Sequence, residues 1–282
     1  MTRYLALGIP LLLVIQVSCE KDTVTSPTDE TSSYKIAFSL SDNGSHNFEI
    51  YLMNTDGEGL VRLTDDSSNS WQPAWSPDGS RIVYSSGWNI YLINPDGSNK
   101  TYLTKGSEPA WSPDGSKIAF RAPWNDNFEI HTINVDGSNE NNLTADTQYN
   151  ISPAWSPDGS RIVFSTQFNI CSMNADGTDL IYLTTAGGAF DPAWSPDGLK
   201  ITYTLDLNHT DIMIMDADGS NILPLTTDGN AGDAEWSVDG DKIIFNYAFD
   251  IFIMDIDGEN KVNITNSENM DYSPSWSPIL IH

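Results

Sequence analysis

The sequence predicts an all-β protein, a six-bladed β-propeller, because one hairpin motif recurs along the chain. The motif is clearest at residues 153–164, where Trp155 precedes a Ser156-Pro157-Asp158-Gly159 corner and an apolar run. Proline presets φ at the first turn position, and glycine accepts the positive φ that such a corner requires. Six tryptophans share this frame, at spacings of 36, 44, 39, 42 and 40 residues: Trp75, Trp111, Trp155, Trp194, Trp236 and Trp276. A period near 40 residues with several short strands is typical of a propeller.

Each period contains four predicted strands, which we designate A to D. Strand A carries the tryptophan and is predicted to be innermost. Strand B follows the corner and is rich in β-branched and aromatic residues, as in Ile162-Val163-Phe164, which favours a strand over a helix. Strand C, for example Glu49–Asn54, leads through an Asp-Gly turn to strand D, which ends in a Leu-Thr pair such as Leu63-Thr64.

The two ends of the repeat region are incomplete in a complementary way. The first B strand, at residues 35–38, has no A strand before it, and the last A strand, around Trp276, has no B strand after it. We therefore predict that residues 274–278 lie beside residues 35–39 and close a ring of six blades. Closure also removes exposed sheet edges. The six tryptophans are predicted to wedge between neighbouring blades as core residues.

The amino-terminal region has the pattern of an export signal. Residues 1–18 contain Arg3 and then a mostly apolar segment, Leu5–Val17, which is too short for a membrane span. Ser18-Cys19 resembles the end of a bacterial lipoprotein signal, which predicts lipidation of Cys19; the alternative is an ordinary secretory signal cleaved nearby. Residues 19–33 are rich in Thr, Ser, Asp and Pro and are predicted to be a flexible tether. Residues 34–282 form the predicted propeller.

The charge balance limits the classes of partner. The chain has 39 acidic and 13 basic residues, a formal net charge of −26. Such a surface repels nucleic-acid phosphates and anionic lipid headgroups, so we expect no nucleic-acid partner and membrane contact only through the anchor at Cys19. The charge does not exclude basic proteins, cations or neutral polymers as partners. The two cysteines do not form a disulfide framework, and we expect a monomer in the periplasm or at the cell surface.

The motif Ala154-Trp155-Ser156-Pro157-Asp158-Gly159, together with Asn174-Ala175-Asp176-Gly177, resembles the TolB-type propeller repeat, a WD40-like repeat also called PD40. The resemblance covers about residues 34–278 and implies a six-bladed propeller that binds proteins or peptides in the cell envelope. Similar repeats occur in propeller domains of serine peptidases. The α/β domain that precedes the TolB propeller has no counterpart here, and no Gly-x-Ser-x-Gly nucleophile motif is present. The sequence is therefore interpreted as a TolB-like chain without that domain.

No motif in the chain predicts catalysis or a metal site. Asp216-Ala217-Asp218-Gly219 resembles the start of a calcium loop, but Leu225 occupies the position where an EF-hand needs glutamate. The hairpin interpretation is therefore favoured. His131 and Cys171 occupy one equivalent position of strand C and are predicted to be packed strand residues. We expect no cofactor, although a cation at the channel mouth is possible.

Candidate binding residues lie on the rim that carries the B–C and D–A loops, because these loops vary in length whereas the A–B and C–D turns are nearly uniform. One residue before each inner strand is expected at the channel mouth: Gln72, Glu108, Ser152, Asp191, Asp233 and Ser273. With Asp271, these residues predict an acidic mouth that could accept a cation or a basic peptide end; the alternative is simple solvation of the carboxylates. Four aromatic residues are predicted to provide contact surface: Trp71, Trp124, Phe190 and Tyr272. Trp88, which aligns with Phe48, Phe128 and Phe249, is predicted to belong to the core.

Two functions follow from this interpretation. The first is an exported module that binds a protein or peptide through the variable rim. The second is a carbohydrate-active or other hydrolytic enzyme at the channel mouth, since acidic and aromatic residues also suit sugars. Two carboxyl groups that converge in a pocket, one with a strongly raised pKa, would favour the enzyme. Dispersed, solvated acids would favour the binding module.

Overall fold

The computed structural model describes residues 34–41, 47–124 and 127–278. Within these ranges every regular element is a β-strand, and no helix is long and apolar enough to cross a bilayer. The predicted signal peptide, the tether and Cys19 lie outside the described residues.

The described residues form twenty-four strands, numbered here in chain order. They are β1 (Lys35–Ser41), β2 (Phe48–Asn54), β3 (Val61–Arg62), β4 (Ser70–Trp75), β5 (Ile82–Ser86), β6 (Asn89–Ile93), β7 (Thr101–Lys105), β8 (Ser107–Trp111), β9 (Lys117–Trp124), β10 (Asn127–Asn134), β11 (Asn141–Asn142), β12 (Asn150–Trp155), β13 (Arg161–Thr166), β14 (Asn169–Asn174), β15 (Ile181–Tyr182), β16 (Ala189–Trp194), β17 (Lys200–Asp206), β18 (Thr210–Asp216), β19 (Leu223–Pro224), β20 (Ala231–Trp236), β21 (Lys242–Tyr247), β22 (Asp250–Asp255), β23 (Val262–Asn263) and β24 (Met270–Trp276).

The strands form six antiparallel sheets of four strands, which are the blades of the propeller. Blade one has the order β24-β1-β2-β3, and blades two to six follow as β4 to β7, β8 to β11, β12 to β15, β16 to β19 and β20 to β23. The tryptophan strands of neighbouring blades contact one another around the axis and are therefore the inner strands. The predicted all-β, six-bladed fold is confirmed.

The Ser-Pro-Asp-Gly corner is held by its own side chains. Ser76 Oγ donates to Asp78 Oδ1 at 2.7 Å and accepts from the backbone N–H of Arg81 at 2.9 Å. The backbone N–H of Gly79 donates to the Ser76 carbonyl at 2.8 Å, with φ of 69° at the glycine. These bonds within the turn stabilise the corner locally. The serine bonds recur at Ser112, Ser156, Ser195 and Ser237.

The Asp-Gly turn between strands C and D packs against the preceding blade. A Cβ added at Gly177, where φ is +86°, would lie 2.8 Å from the carbonyl oxygen of Leu143 in that blade. The threonine after this leucine also bonds within its own blade, since Thr144 Oγ1 accepts from the backbone N–H of Ile130 at 3.0 Å. Glycine and the Leu-Thr pair thus set the close approach of neighbouring blades.

The hydrophobic core consists of six clusters, each formed mainly between two neighbouring blades. In one of them Trp75 packs with Ile50 of blade one and with Tyr84 of its own blade. Trp236 reaches the preceding blade directly, because its indole N–H donates to Thr202 Oγ1 at 3.1 Å. The tryptophans therefore wedge between blades, as predicted. His131 and Cys171 are buried strand residues, also as predicted.

The last strand closes the ring on the first. Trp276 pairs with Ile36, and Ser275 pairs with Ala37. Beyond the strand, the backbone N–H of Ser277 donates to the Lys35 carbonyl, and the Lys35 N–H donates to Ser277 Oγ, both at 2.8 Å. The predicted pairing of residues 274–278 with residues 35–39 is confirmed.

The prediction that Trp88 belongs to the core is wrong. Trp88 is 53% exposed and Phe249 is 55% exposed, whereas the aligned Phe48 is buried. The difference arises from the length of the B–C hairpin. In blades two and six a two-residue turn joins the strands and places the aromatic residue at its tip, whereas β2 already begins at Phe48.

Replacing a wedge tryptophan should cost far more stability than replacing an exposed one. We expect Trp276→Ala to lower the free energy of unfolding by about 3–5 kcal/mol, because it leaves a cavity in the closing strand. Trp124→Ala, at a residue that is 47% exposed, should change it by about 0.5 kcal/mol or less. Denaturant titration followed by circular dichroism measures both. Equal effects would contradict the closing role of Trp276.

Candidate functional site

Each inner strand contains a β-bulge, and the residue at the bulge has an unusual backbone conformation. Pairing with the second strand shifts register at this point in all six blades. The six residues have φ between 48° and 55°: Gln72, Glu108, Ser152, Asp191, Asp233 and Ser273. A left-handed conformation costs a non-glycine residue about 1–2 kcal/mol. Bulges re-aim side chains, and here all six residues line the central channel. We call them the channel ring.

Hydrogen bonds join the channel ring from blade to blade. The backbone N–H of Glu108 donates to Gln72 Oε1 at 3.2 Å, and that of Ser152 donates to Glu108 Oε2 at 2.7 Å. Ser152 Oγ then donates to Asp191 Oδ1 at 2.6 Å. A side chain of one blade thus satisfies the strained backbone of the next, which explains how the fold maintains this conformation. The ring lies inside the inner strands, slightly deeper than the sequence predicts.

Two carboxyl groups of the ring meet directly. Asp191 and Asp233 are hydrogen-bonded to each other through their side chains. Burial, followed by the charge of Asp191, raises the pKa of Asp233 well above its usual range. The remaining contacts of Asp233 hold the closing strand, because Asp233 Oδ2 accepts from the backbone N–H of Ser273 at 3.3 Å. The pair therefore favours one bound proton at the centre of the channel.

Arg121 balances part of this negative charge, and the sequence analysis did not identify it. Its Nη1 lies 2.8 Å from Glu108 Oε1, and its Nε donates to Ser107 Oγ at 3.0 Å. The guanidinium also lies over two aromatic rings, at 5.1 Å from the centroid of Trp88 and 4.6 Å from that of Phe128. Burial raises the pKa of Glu108, and the charge of Arg121 opposes that shift. Arg121 meets Glu108, Ser107 and Phe128 within blade three and Trp88 in blade two, and such side-chain contacts leave no signal in a repeat pattern.

The channel mouth on the variable rim has aromatic walls. Trp71 stacks on Phe48 at 3.9 Å between ring centroids, and Tyr272 lies 6.1 Å from Trp71. These residues line a cavity of about 580 Å³ together with Phe190, Glu108, Asp191 and Asp233. The structure thus brings together three of the four predicted contact aromatics and the predicted acids of the ring. Trp124 lies apart, at the end of β9, with its ring 5.9 Å from that of His131.

Asp271 is not part of the mouth, which corrects the prediction that placed it there. It is completely buried in the closing strand and pairs with Leu40. Ser267 Oγ donates to Asp271 Oδ2 at 3.0 Å, and burial raises the pKa of Asp271 to about 6. In the repeat frame Asp271 lies two residues before the channel ring, where side chains point into the blade interface.

The rim around the mouth carries a series of exposed apolar side chains, which we call the apolar crown. They occupy the tips of the B–C hairpins in five blades, with exposures between 47% and 62%: Trp88, Trp124, Phe168, Leu207 and Phe249. Three of the tips are two-residue turns with positive φ at both positions, including 62° at Phe168 and 79° at Phe249. Asparagine and glycine favour such turns, whereas bulky residues are genuine outliers there.

Below the channel ring lies a layer of small residues that contains one acid. Ala74, Ala110, Ala154, Ala193 and Ser275 occupy equivalent positions, and Glu235 occupies the sixth. Glu235 Oε1 accepts from the backbone N–H of Trp276 at 3.3 Å and from Ser275 Oγ at 3.4 Å. Burial raises the pKa of Glu235 to about 8. Sequence analysis missed this residue, although the change from alanine to glutamate before Trp236 was a visible signal.

Metal-binding geometry is not found in the described part of the chain: no group of three or more His, Cys, Asp and Glu side chains is arranged to hold a metal ion there.

The buried acids should make stability depend on pH. The folded pKa of Glu235 is about 8, whereas an unfolded glutamate has a pKa of about 4.3. Between these two pH values the folded state therefore holds one more proton than the unfolded state. The free energy of unfolding should fall as pH rises from 5 to 8, by at most about 1.4 kcal/mol per unit of pKa difference. Glu235→Gln, which keeps the acceptor oxygen, should reduce this fall. Denaturant titrations at several pH values test it, and identical pH profiles in both proteins would contradict it.

Comparison with known proteins identifies the fold. No family model matches the chain. A curated relative, dipeptidyl-peptidase 5 of Porphyromonas gingivalis, is 33% identical over 74 residues, which is 26% of this chain. The matched segment spans only 11% of that protein's length.

Two solved structures are similar over most of the chain. TolB from Acinetobacter baumannii has a TM-score of 0.78 at 22% identity, covering 87% of this chain and 67% of the other. A structure from Agrobacterium tumefaciens assigned to TolB has a TM-score of 0.68 at 21% identity, covering 88% of this chain and 100% of the other. This chain therefore shares the six-bladed β-propeller fold of the TolB structures, as its repeats predict.

Proposed function

We propose that this protein is an exported, lipid-anchored propeller that binds a protein or peptide of the cell envelope with the rim around the channel mouth. The observation that carries the proposal is the apolar crown, which surrounds an acidic opening. The amino-terminal pattern that ends at Cys19 supports export and anchoring. Such an anchor would hold the propeller, as a monomer, at a membrane in the periplasm or at the cell surface.

The apolar crown supports partner binding because its side chains stay about half exposed or more, although Trp88, Trp124 and Phe249 also make ring contacts within the fold. Phe168 and Phe249 are more than half exposed, so they contribute little to the core. Their turns would form more easily with asparagine or glycine. Exposed aromatic residues that the fold itself disfavours are typical of interaction surfaces, where tyrosine, tryptophan and other aromatics supply most of the binding energy.

The mouth at the centre of the crown selects for positive charge. Glu108, Asp191 and Asp233 reach the cavity between the aromatic walls of Trp71 and Tyr272. Arg121 already pairs with Glu108, which leaves the Asp191–Asp233 pair for an incoming group. A lysine side chain or an amino terminus would lie against aromatic rings and donate to these carboxyl oxygens. The partner is therefore proposed to present a basic group at the centre of its contact surface.

Removing a crown aromatic should weaken partner binding and increase the stability of the folded protein. Phe168→Gly should raise the free energy of unfolding by about 0.5–1 kcal/mol, because glycine adopts positive φ without strain. The same variant should capture less partner in crosslinked envelope extracts analysed by mass spectrometry. A variant that loses stability would show that Phe168 is a structural residue.

The rim assignment needs a matched control on the opposite face. Leu199 is 64% exposed in an A–B corner, on the other rim, and is therefore the control residue. We expect Asp191→Asn and Phe249→Ser to reduce capture of the crosslinked partner at least about tenfold, whereas Leu199→Ala leaves it unchanged. Equal capture by all three variants would refute the proposed rim.

A second candidate function is favoured by the Asp191–Asp233 pair. Converging carboxyls, one with a raised pKa, are the arrangement expected of an acid–base hydrolase. In such a reaction Asp233 would protonate the leaving group while Asp191 would accept a proton from the attacking water. The two catalytic carboxyls of a glycosidase are about 5–9.5 Å apart. Two carboxyls in direct hydrogen-bond contact are closer than this, which argues against the carbohydrate-active alternative.

Turnover measurements separate the two candidates. Purified protein would be incubated with oligosaccharide and peptide libraries and the products followed by mass spectrometry. The hydrolase predicts cleavage that both Asp191→Asn and Asp233→Asn reduce by at least about a hundredfold. Absence of cleavage, together with retained partner capture, would support the binding module alone.

A further inference from the structure

The end of the channel opposite the mouth forms a second compartment. It lies between the channel ring and the Ser-Pro-Asp-Gly corners and is lined by the small-residue layer and by the six inner-strand tryptophans: Trp75, Trp111, Trp155, Trp194, Trp236 and Trp276. We call it the tryptophan vestibule. Pro77 and Pro157 of the corners also line it, so it opens on the uniform rim. The channel cavity on this side has a volume of about 440 Å³, enough for a small molecule.

Three of the positions at which blade six departs from the other blades line the vestibule. Ala234 replaces the proline that every other inner strand carries, Glu235 replaces alanine or serine, and Val238 replaces the proline of the corner. The first and third changes remove proline rings, and the second introduces a carboxyl group. The lining of the vestibule is therefore asymmetric, and blade six supplies the one carboxyl group among its described lining residues.

Among the residues that the structure describes, none provides a cationic partner for the carboxyl of Glu235. Both of its hydrogen bonds reach Oε1 and are long, at 3.3 Å and 3.4 Å, and no described residue bonds to Oε2. The other ionisable groups that line the channel are Glu108, Asp191 and Asp233, which are also acids. No lysine or arginine lines it among the residues that the structure describes. An isolated carboxyl in an aromatic cavity therefore requires a proton or an external cation.

We propose that the tryptophan vestibule binds a small organic ammonium ion, with Glu235 as its counter-charge and the indole rings as its walls. Indole is the best aromatic partner for a cation, and cavities of this composition suit alkylated ammonium groups. The site is separate from the mouth, because it opens on the other rim and uses blade-six residues that the crown does not include. The proposal is therefore independent of the proposed partner binding.

The buried carboxyl couples binding to pH. Burial raises the pKa of Glu235 to about 8, so the empty site holds a proton at neutral pH. A bound cation favours the carboxylate and displaces that proton, and affinity should therefore rise as pH increases from 6 to 9. The acids of the channel ring add negative potential in the same direction. Neutral ligands of equal shape should show no such dependence.

Choline and its neutral isostere 3,3-dimethylbutan-1-ol test the proposal, with the intrinsic tryptophan fluorescence of the full chain and calorimetry as readouts. We expect choline to bind at least about tenfold more tightly than the isostere and to bind more tightly at pH 9 than at pH 6. Glu235→Gln should remove this preference and the pH dependence. It preserves the acceptor for Trp276, and its thermal midpoint at pH 6 would verify the fold.

The control removes an equal charge elsewhere. Asp65, whose side chain is 92% exposed, lies in the D–A loop before β4, on the rim opposite the vestibule. Asp65→Asn should bind choline as the parent protein does. Equal affinity for choline and the isostere, an unchanged Glu235→Gln variant, or no binding of choline at about 10 mM would each overturn the proposal.

Discussion

The pairing of the last strand with the first is the constraint on which the rest of the structure depends. Trp276 opposite Ile36 converts a row of blades into a closed ring, and only a closed ring has a channel. Closure pairs the edge of β1 that would otherwise be exposed and gives every inter-blade cluster two complete walls. Blade six contributes to it through Asp233 and Glu235, which bond to the backbone of the closing strand. The same two acids belong to the channel, so closure and site share residues.

The channel ring shows how the fold brings ionisable side chains together at its axis. A bulge at the same point of each inner strand turns one side chain inward, and the strained backbone that results is bonded by the neighbouring blade. A residue that would be an ordinary surface acid in an isolated hairpin becomes part of a buried network. The raised pKa of Asp233 is a consequence of that burial and of Asp191 beside it.

The two ends of the channel differ in chemistry because different parts of the repeat form them. The mouth is built from B–C and D–A loops, which tolerate variation and carry the apolar crown. The vestibule is built from inner strands and Ser-Pro-Asp-Gly corners, which are nearly invariant within the chain because they carry the core tryptophans and the corner bonds. Sequence differences between blades are therefore expected at the mouth. At the vestibule they are informative, and there Glu235 is the single charged member of its layer.

The sequence by itself determined the blade number, the closure and the inward position of the tryptophans, because these depend on local turn chemistry that repeats with a constant period. It also identified the six positions of the channel ring and three of the mouth aromatics, Trp71, Phe190 and Tyr272. It misplaced Trp88 and Asp271, whose exposure depends on hairpin length and on packing against the next blade. Only the tertiary structure decided the contacts of Arg121, the Asp191–Asp233 pair and the position of Glu235. These contacts join residues about 13 to 42 apart in the chain. Arg121 meets Glu108 within one blade and the other contacts join neighbouring blades, so their geometry is set by side-chain packing that a repeat pattern does not encode.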